Sequence, residues 1–84
     1  MPYIIKDKRE RLNGIIDNLA AELNILGITG NLNYVLFRLA KKVCHNYATY
    51  SGFVADLECS KLEIYRRLTA PYEDKGIIKN GDVE

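Results

Sequence analysis

Titratable and aromatic side chains are concentrated in residues 51–74, SGFVADLECSKLEIYRRLTAPYED. Lys61 falls between Leu57 and Leu68 when this stretch is wound as a helix at about 100° per residue. Lysines that apolar neighbours shield from water are often found in active sites. The residues to suspect of catalysis are Glu58, Lys61, Tyr65 and Arg66. No nucleophile elbow or carboxylate pair accompanies them, so we expect a structural ion pair and no enzyme.

An unpaired lysine on the apolar side of a helix is costly, so the chain should supply a carboxylate for Lys61. We predict that Lys61 bonds Glu58, Glu73 or Asp74, with Tyr65 or Tyr72 packed over the pair. This latch would tie the C-terminal segment to the main helix. The competing interpretation is a lysine whose stem covers the core while its head stays in solvent. The candidate interaction or latch residues are Glu58, Lys61, Tyr65, Arg66, Tyr72, Glu73 and Asp74.

A metal site is not expected from the two cysteines and the single histidine. His45 directly follows Cys44, and neighbours on a helix point about 100° apart, so the two cannot chelate one ion from the same helix. We expect no metal and no cofactor. A reducing cytoplasm would also keep Cys44 and Cys59 as thiols rather than as a disulfide.

A basic face is predicted on the second helix, consisting of Tyr34, Arg38, Lys41, Lys42 and His45. Such a face could contact phosphates, and two helices joined by a short loop suggest a helix-turn-helix reader of DNA. The whole chain carries 12 Lys and Arg against 11 Asp and Glu, for a net charge of +1. Because nucleic-acid binders usually carry a stronger basic excess, nucleic-acid binding is the alternative hypothesis, and a solvated face is the simpler one.

Apolar periodicity predicts an all-α fold, a small antiparallel three-helix bundle. The first helix spans residues 8–26, with Asp7 as its N-cap and Gly27 ending it in the αL conformation. After a short loop, Asn31 is expected to cap a second helix over residues 32–46. Residues 46–52 break the pattern, so the main helix should begin near Tyr50 or Ser51.

Two structures are compatible with the sequence of the C-terminal segment. The residue before a proline avoids the α region, so the main helix should be interrupted at Ala70 and Pro71. A short fourth helix would then run from Pro71 to Asn80, with Glu73 and Asp74 in its first turn. The same Asn80 and Gly81 are also a signal for a hairpin. Residues 3–5 and 82–84 are expected to be extended and able to pair.

Length and composition limit the classes of protein to which this chain can belong. Eighty-four residues form one small domain, residues 1–84, whose stability is marginal or shared with a partner. No apolar run reaches the length of a membrane span and no signal peptide is evident, which predicts a cytoplasmic protein with no membrane contact.

Apolar side chains such as Leu62, Phe37 and Ile25 lie outside the helical stripes. We therefore expect an interaction or assembly protein, most simply a homodimer.

Motifs along almost the whole chain resemble a family of short uncharacterised bacterial and phage proteins, a domain of unknown function. The matching motifs are an opening MPYI, a central LNY-R-L and the C-terminal LE-KLE-YRR-APYEDK-NGDV. The resemblance implies no activity. It supports the helical fold and the unity of the C-terminal segment. This chain departs from the family pattern at Gly76, Ile77 and Ile78, where relatives are more charged.

Overall fold

The computed structural model describes residues 3–84 and contains only helices as regular secondary structure there. The predicted all-α fold is confirmed. The chain divides into two compact units, Met1–Asn46 and Tyr47–Glu84. The first unit contains α1 (Lys6–Leu26) and α2 (Asn31–Val43), and the second contains α3 (Tyr47–Ile64), a π-helical turn (Tyr65–Thr69) and α4 (Ala70–Asn80).

The first unit is a helical hairpin. Residues 27–30 join α1 to α2, and Leu19 of α1 lines the same groove as Leu39 of α2. Each of these leucines lies about two turns from the connecting loop, so α2 folds back alongside α1. The N-terminal cap is different from the prediction. Ile5 precedes α1 without a side-chain cap, and Asp7 lies inside the first turn, where the helix dipole favours an acid.

The loop between α1 and α2 depends on one glycine conformation and one side-chain contact. Gly27 ends α1 with φ 90° and ψ 160°, which is outside the predicted αL region and belongs to a region that essentially only glycine adopts. Asn31 was expected to cap α2, but Gly30 is the N-cap. The Asn31 amide instead donates to the carbonyl oxygens of Leu26 and Gly27 at 3.2 and 2.9 Å, satisfying acceptors at the end of α1.

The second unit begins its helix earlier than predicted. α3 starts at Tyr47, so the break expected over residues 46–52 is wrong. Residues 47–52 contain no proline, and a single Gly52 inside a helix costs only about 1 kcal/mol relative to alanine, which neighbouring turns can offset. The true break lies just before it, because α2 ends at Val43.

Pro71 does not interrupt the main helix, which corrects the prediction. In a regular α-helix its ring would clash with the carbonyl four residues earlier, that of Arg67. The chain instead widens into the π-turn, where the Ala70 N–H donates to the carbonyl of Tyr65, five residues back. The helix then continues as α4 with the proline in its first turn. The helix continues because the π-turn supplies room for the ring.

The C-terminal segment is helical and not a hairpin. α4 ends at Asn80, and Gly81 follows with a positive φ of 87°, while its N–H donates to the Ile77 carbonyl. Ile5 is extended, as predicted for the start of the chain, whereas Pro2 lies outside the described residues. Neither residues 3–5 nor residues 82–84 form a β-strand.

The apolar stripes read from the sequence are largely exposed to solvent. Among residues 3–84, Cys44 is the one buried hydrophobic side chain. Ile15, Ile16 and Leu26 of α1 are each more than half exposed. Ile25, Phe37 and Leu62, which were predicted to lie outside the stripes, are exposed as well. The burial that periodicity predicted for these stripes is therefore wrong for most of their residues.

Candidate interaction site

The predicted ion pair of Lys61 is present, but in solvent. Its Nζ lies 3.1 Å from Glu58 Oε1, one turn earlier on α3, and the two side chains are 68% and 59% exposed. The shielded environment expected for Lys61 is therefore wrong, since Leu68 and Val54 beside it are themselves exposed. A second pair, Arg67 Nη1 donating to Glu63 Oε1 at 3.1 Å, has the acid-first order that favours a helix.

A contact across the π-turn takes the place of the predicted latch. The Tyr65 hydroxyl donates a hydrogen bond to the carboxylate of Glu73, so Tyr65 contacts an acid of α4 rather than covering the Lys61 pair. This hydrogen bond raises the pKa of Tyr65, and the negative charges of Glu73 and Asp74 and the partial loss of water act in the same direction. The charged tyrosinate is the form that these neighbours disfavour.

The basic face of α2 is exposed and borders a groove. Tyr34, Phe37, Arg38, Lys41 and Lys42 line this groove, which measures about 330 Å³. Lys41 Nζ lies 6.0 Å from the centroid of the Phe37 ring, at the outer limit of a cation–π contact. His45 is exposed but lies beyond Val43, the last residue of α2, so it is not part of the helical surface.

A second groove runs between α1 and α2 beside the basic face, and we call it the interhelix groove. Leu19, Val35 and Leu39 form its apolar part, and Tyr34, Arg38 and Lys42 form its rim. Its volume is about 340 Å³. The groove therefore combines an apolar floor with two exposed cations one helical turn apart.

The side chains of α4 divide into two chemically distinct faces. At about 100° per residue, Glu73, Ile77, Asp74 and Ile78 occupy one arc of about 140°, which we call the acidic-apolar face. Lys75 and Lys79 lie on the opposite side. All six side chains are exposed, and Ile78 is 85% exposed. The latch candidates Tyr72 and Arg66 are exposed too, and the structure gives neither a bond to Lys61.

Sequence reasoning missed three members of these surfaces. Phe37 was placed outside the helical stripes but was not assigned to the basic face, although its spacing of three from Tyr34 and four from Lys41 already placed it beside that face. Ile77 and Ile78 were noted only as a departure from the family pattern. Their positions four residues after Glu73 and Asp74 were the available signal for a mixed acidic and apolar face.

Few other side chains in the part of the chain that the structure describes could bind a metal or form a covalent bond. Cys44 is buried, Cys59 is exposed and neither belongs to a disulfide. Residues 3–84 hold no group of three or more His, Cys, Asp or Glu side chains placed to bind a metal ion. Within the same residues, none of the helices has the length and apolar character required to cross a membrane.

Comparison with known proteins identifies a family but no activity. No curated protein matches the chain significantly. No solved structure matches it either. The model of the DUF6899 family, a domain of unknown function, matches residues 1–83, and the chain therefore belongs to that family.

Proposed function

We propose that this protein is a small, non-enzymatic assembly protein that acts in the cytoplasm as a homodimer. The observation that carries the proposal is the amount of apolar surface left in contact with solvent. Large hydrophobic side chains from every helix are exposed, among them Ile25 at 78% and Leu68 at 68%. Exposed apolar surface on this scale is typical of chains that bury it against a partner.

Light scattering on protein eluting from a size-exclusion column tests the proposal. We expect a mass of twice 9.6 kDa at micromolar loading, with partial dissociation only on strong dilution. A mass of one chain at every loading would contradict the homodimer. Pull-down of the tagged protein from a lysate, with identification of what co-purifies, would then be the experiment to find a different partner.

Nucleic-acid binding through the basic face is the second candidate. Its support is the α2 groove, where two aromatic rings and three cations line one helix surface, and α2 itself contains no acid. Aromatic side chains among cations suit single-stranded nucleic acid, on whose bases they stack. Retention on immobilised single-stranded DNA that falls steeply with salt would support this candidate. Absence of retention at low salt would remove it.

A further inference from the structure

The two units of the chain carry opposite net charges. Residues 1–46 contain seven Lys and Arg against four Asp and Glu, and residues 47–84 contain five against seven. The imbalance is sharpest on two exposed surfaces. The basic face and the rim of the interhelix groove share Arg38 and Lys42, while the acidic-apolar face of α4 carries Glu73 and Asp74. A protein with complementary patches on separate units can use them to assemble with itself.

We propose that the interhelix groove of one copy binds α4 of a second copy. In this arrangement Ile77 and Ile78 lie on the apolar floor, and Glu73 and Asp74 face Arg38 and Lys42 on the rim. The inference rests on the proposed homodimer and names the surfaces that form it. Two such contacts related by a two-fold axis close the dimer, because each copy supplies one groove and one α4.

The groove and α4 both present partly exposed aliphatic side chains. Leu19 and Leu39 in the groove are 39% and 48% exposed, and Ile77 is 43% exposed. Together with Ile78 these side chains would lose contact with water when α4 enters the groove. Burial of apolar area is the main favourable term in such association, at roughly 25 cal/mol per Å² before the cost of binding is subtracted.

The charged parts set the orientation of α4 in the groove. Arg38 and Lys42 are one turn apart on α2, and the groove lacks an acidic side chain among the residues that line it. On α4 the two acids share one face, whereas Lys75 and Lys79 lie on the other. The hydrogen bond from Tyr65 uses part of the acceptor capacity of Glu73, and a carboxylate has about four acceptor sites, so enough remains for a cation of the partner.

A charge-exchange experiment tests the inference. One variant carries Arg38→Glu and Lys42→Glu, and the other carries Glu73→Lys and Asp74→Lys. Each alone places like charges across both contacts of the dimer, so we expect its dissociation constant to rise about tenfold or more. An equimolar mixture has complementary charges across both contacts. We therefore expect heterodimers with a dissociation constant within about threefold of the wild type, from the same charge argument.

The controls separate this inference from the proposed homodimer. Lys75→Glu with Lys79→Glu changes the charge by the same amount as the α4 variant, with the opposite sign, on the opposite side of α4 and should leave the dimer intact. Circular dichroism of each variant verifies that the helices form. If both single-surface variants stay dimeric, or if their mixture stays monomeric, the inference is wrong while the homodimer stands. A monomeric wild type would instead overturn the homodimer itself.

The same variants also report on the nucleic-acid alternative. If Arg38→Glu with Lys42→Glu leaves the dimer unchanged but abolishes retention on single-stranded DNA, the rim serves nucleic acid and not α4. That outcome overturns the inference.

Discussion

The Tyr65 hydroxyl donates a hydrogen bond to the Glu73 carboxylate, eight residues further along the chain and on the other side of a π-helical turn. In an unbroken α-helix two residues eight apart lie more than two turns from each other, about 12 Å along the axis. Because Tyr65 is the first residue of the π-turn, the hydrogen bond joins the start of that turn to α4.

Removing this hydrogen bond should loosen α4. In Tyr65→Phe we expect faster amide exchange over residues 70–80 than in the wild type, because α4 loses its side-chain tie to the preceding turn. Tyr72→Phe is the matched control, since it removes a hydroxyl from an exposed tyrosine of α4 itself. Equal exchange rates in Tyr65→Phe and the wild type would show that the contact does not stabilise α4.

The raised pKa of Tyr65 predicts a loss of stability at high pH. Tyrosine in an unfolded chain has a pKa of about 10, so the contribution of Tyr65 is fully present below that pH. It should be lost as pH rises through the higher folded value, because the unfolded chain releases its proton first. Melting midpoints of wild type and Tyr65→Phe should therefore converge above about pH 10. A constant difference between the two proteins across this range would count against the assignment.

Pro71→Ala should stabilise the second unit. Alanine restores the missing N–H and removes the ring that excludes a regular α-turn, so we expect a gain of roughly 1–3 kcal/mol in the free energy of unfolding. The π-turn should then tighten, rotating α4 relative to α3 and separating Tyr65 from Glu73. Chemical denaturation measures the gain, and the tyrosine titration reports the lost hydrogen bond. If Pro71→Ala is less stable than the wild type, the proline ring itself stabilises the second unit, and the expected gain is wrong.

Lys61→Met should change stability by no more than about 1 kcal/mol, because exposed ion pairs contribute little. Lys61 and Glu58 are both more than half exposed, so the glutamate left behind remains hydrated. The C-terminal segment should keep its resistance to protease. A loss of about 3 kcal/mol, together with rapid cleavage of residues 70–84, would instead indicate a buried latch.

Two glycines of the first unit should respond oppositely to alanine. Gly14 is inside α1 with open space around its Cβ position, so Gly14→Ala should stabilise by about 0.5–1 kcal/mol. Gly27 has a φ of 90°, and Gly27→Ala should destabilise by about 1–3 kcal/mol. Thermal melts of the two variants measure both effects. A stabilising Gly27→Ala would mean that the loop adopts another conformation.

The sequence predicted the parts of the fold that local geometry determines. Apolar periodicity located the helices, and the three-residue spacing of Glu58 and Lys61 was enough to predict their ion pair. Pro71 was misjudged because a proline signal is the same for a helix that ends and for one that widens into a π-turn. A Lys61 head in solvent was one of the two interpretations that the sequence left open, and periodicity could not decide between them. Periodicity shows which side of a helix is apolar but not what, if anything, covers it.

Sedimentation equilibrium of the wild-type protein over a range of micromolar concentrations tests the central claim, that a second copy covers the exposed apolar surface. We expect a single species of twice the 9.6 kDa chain mass at the higher concentrations, with dissociation on dilution. A fit to the mass of one chain at every concentration would contradict it.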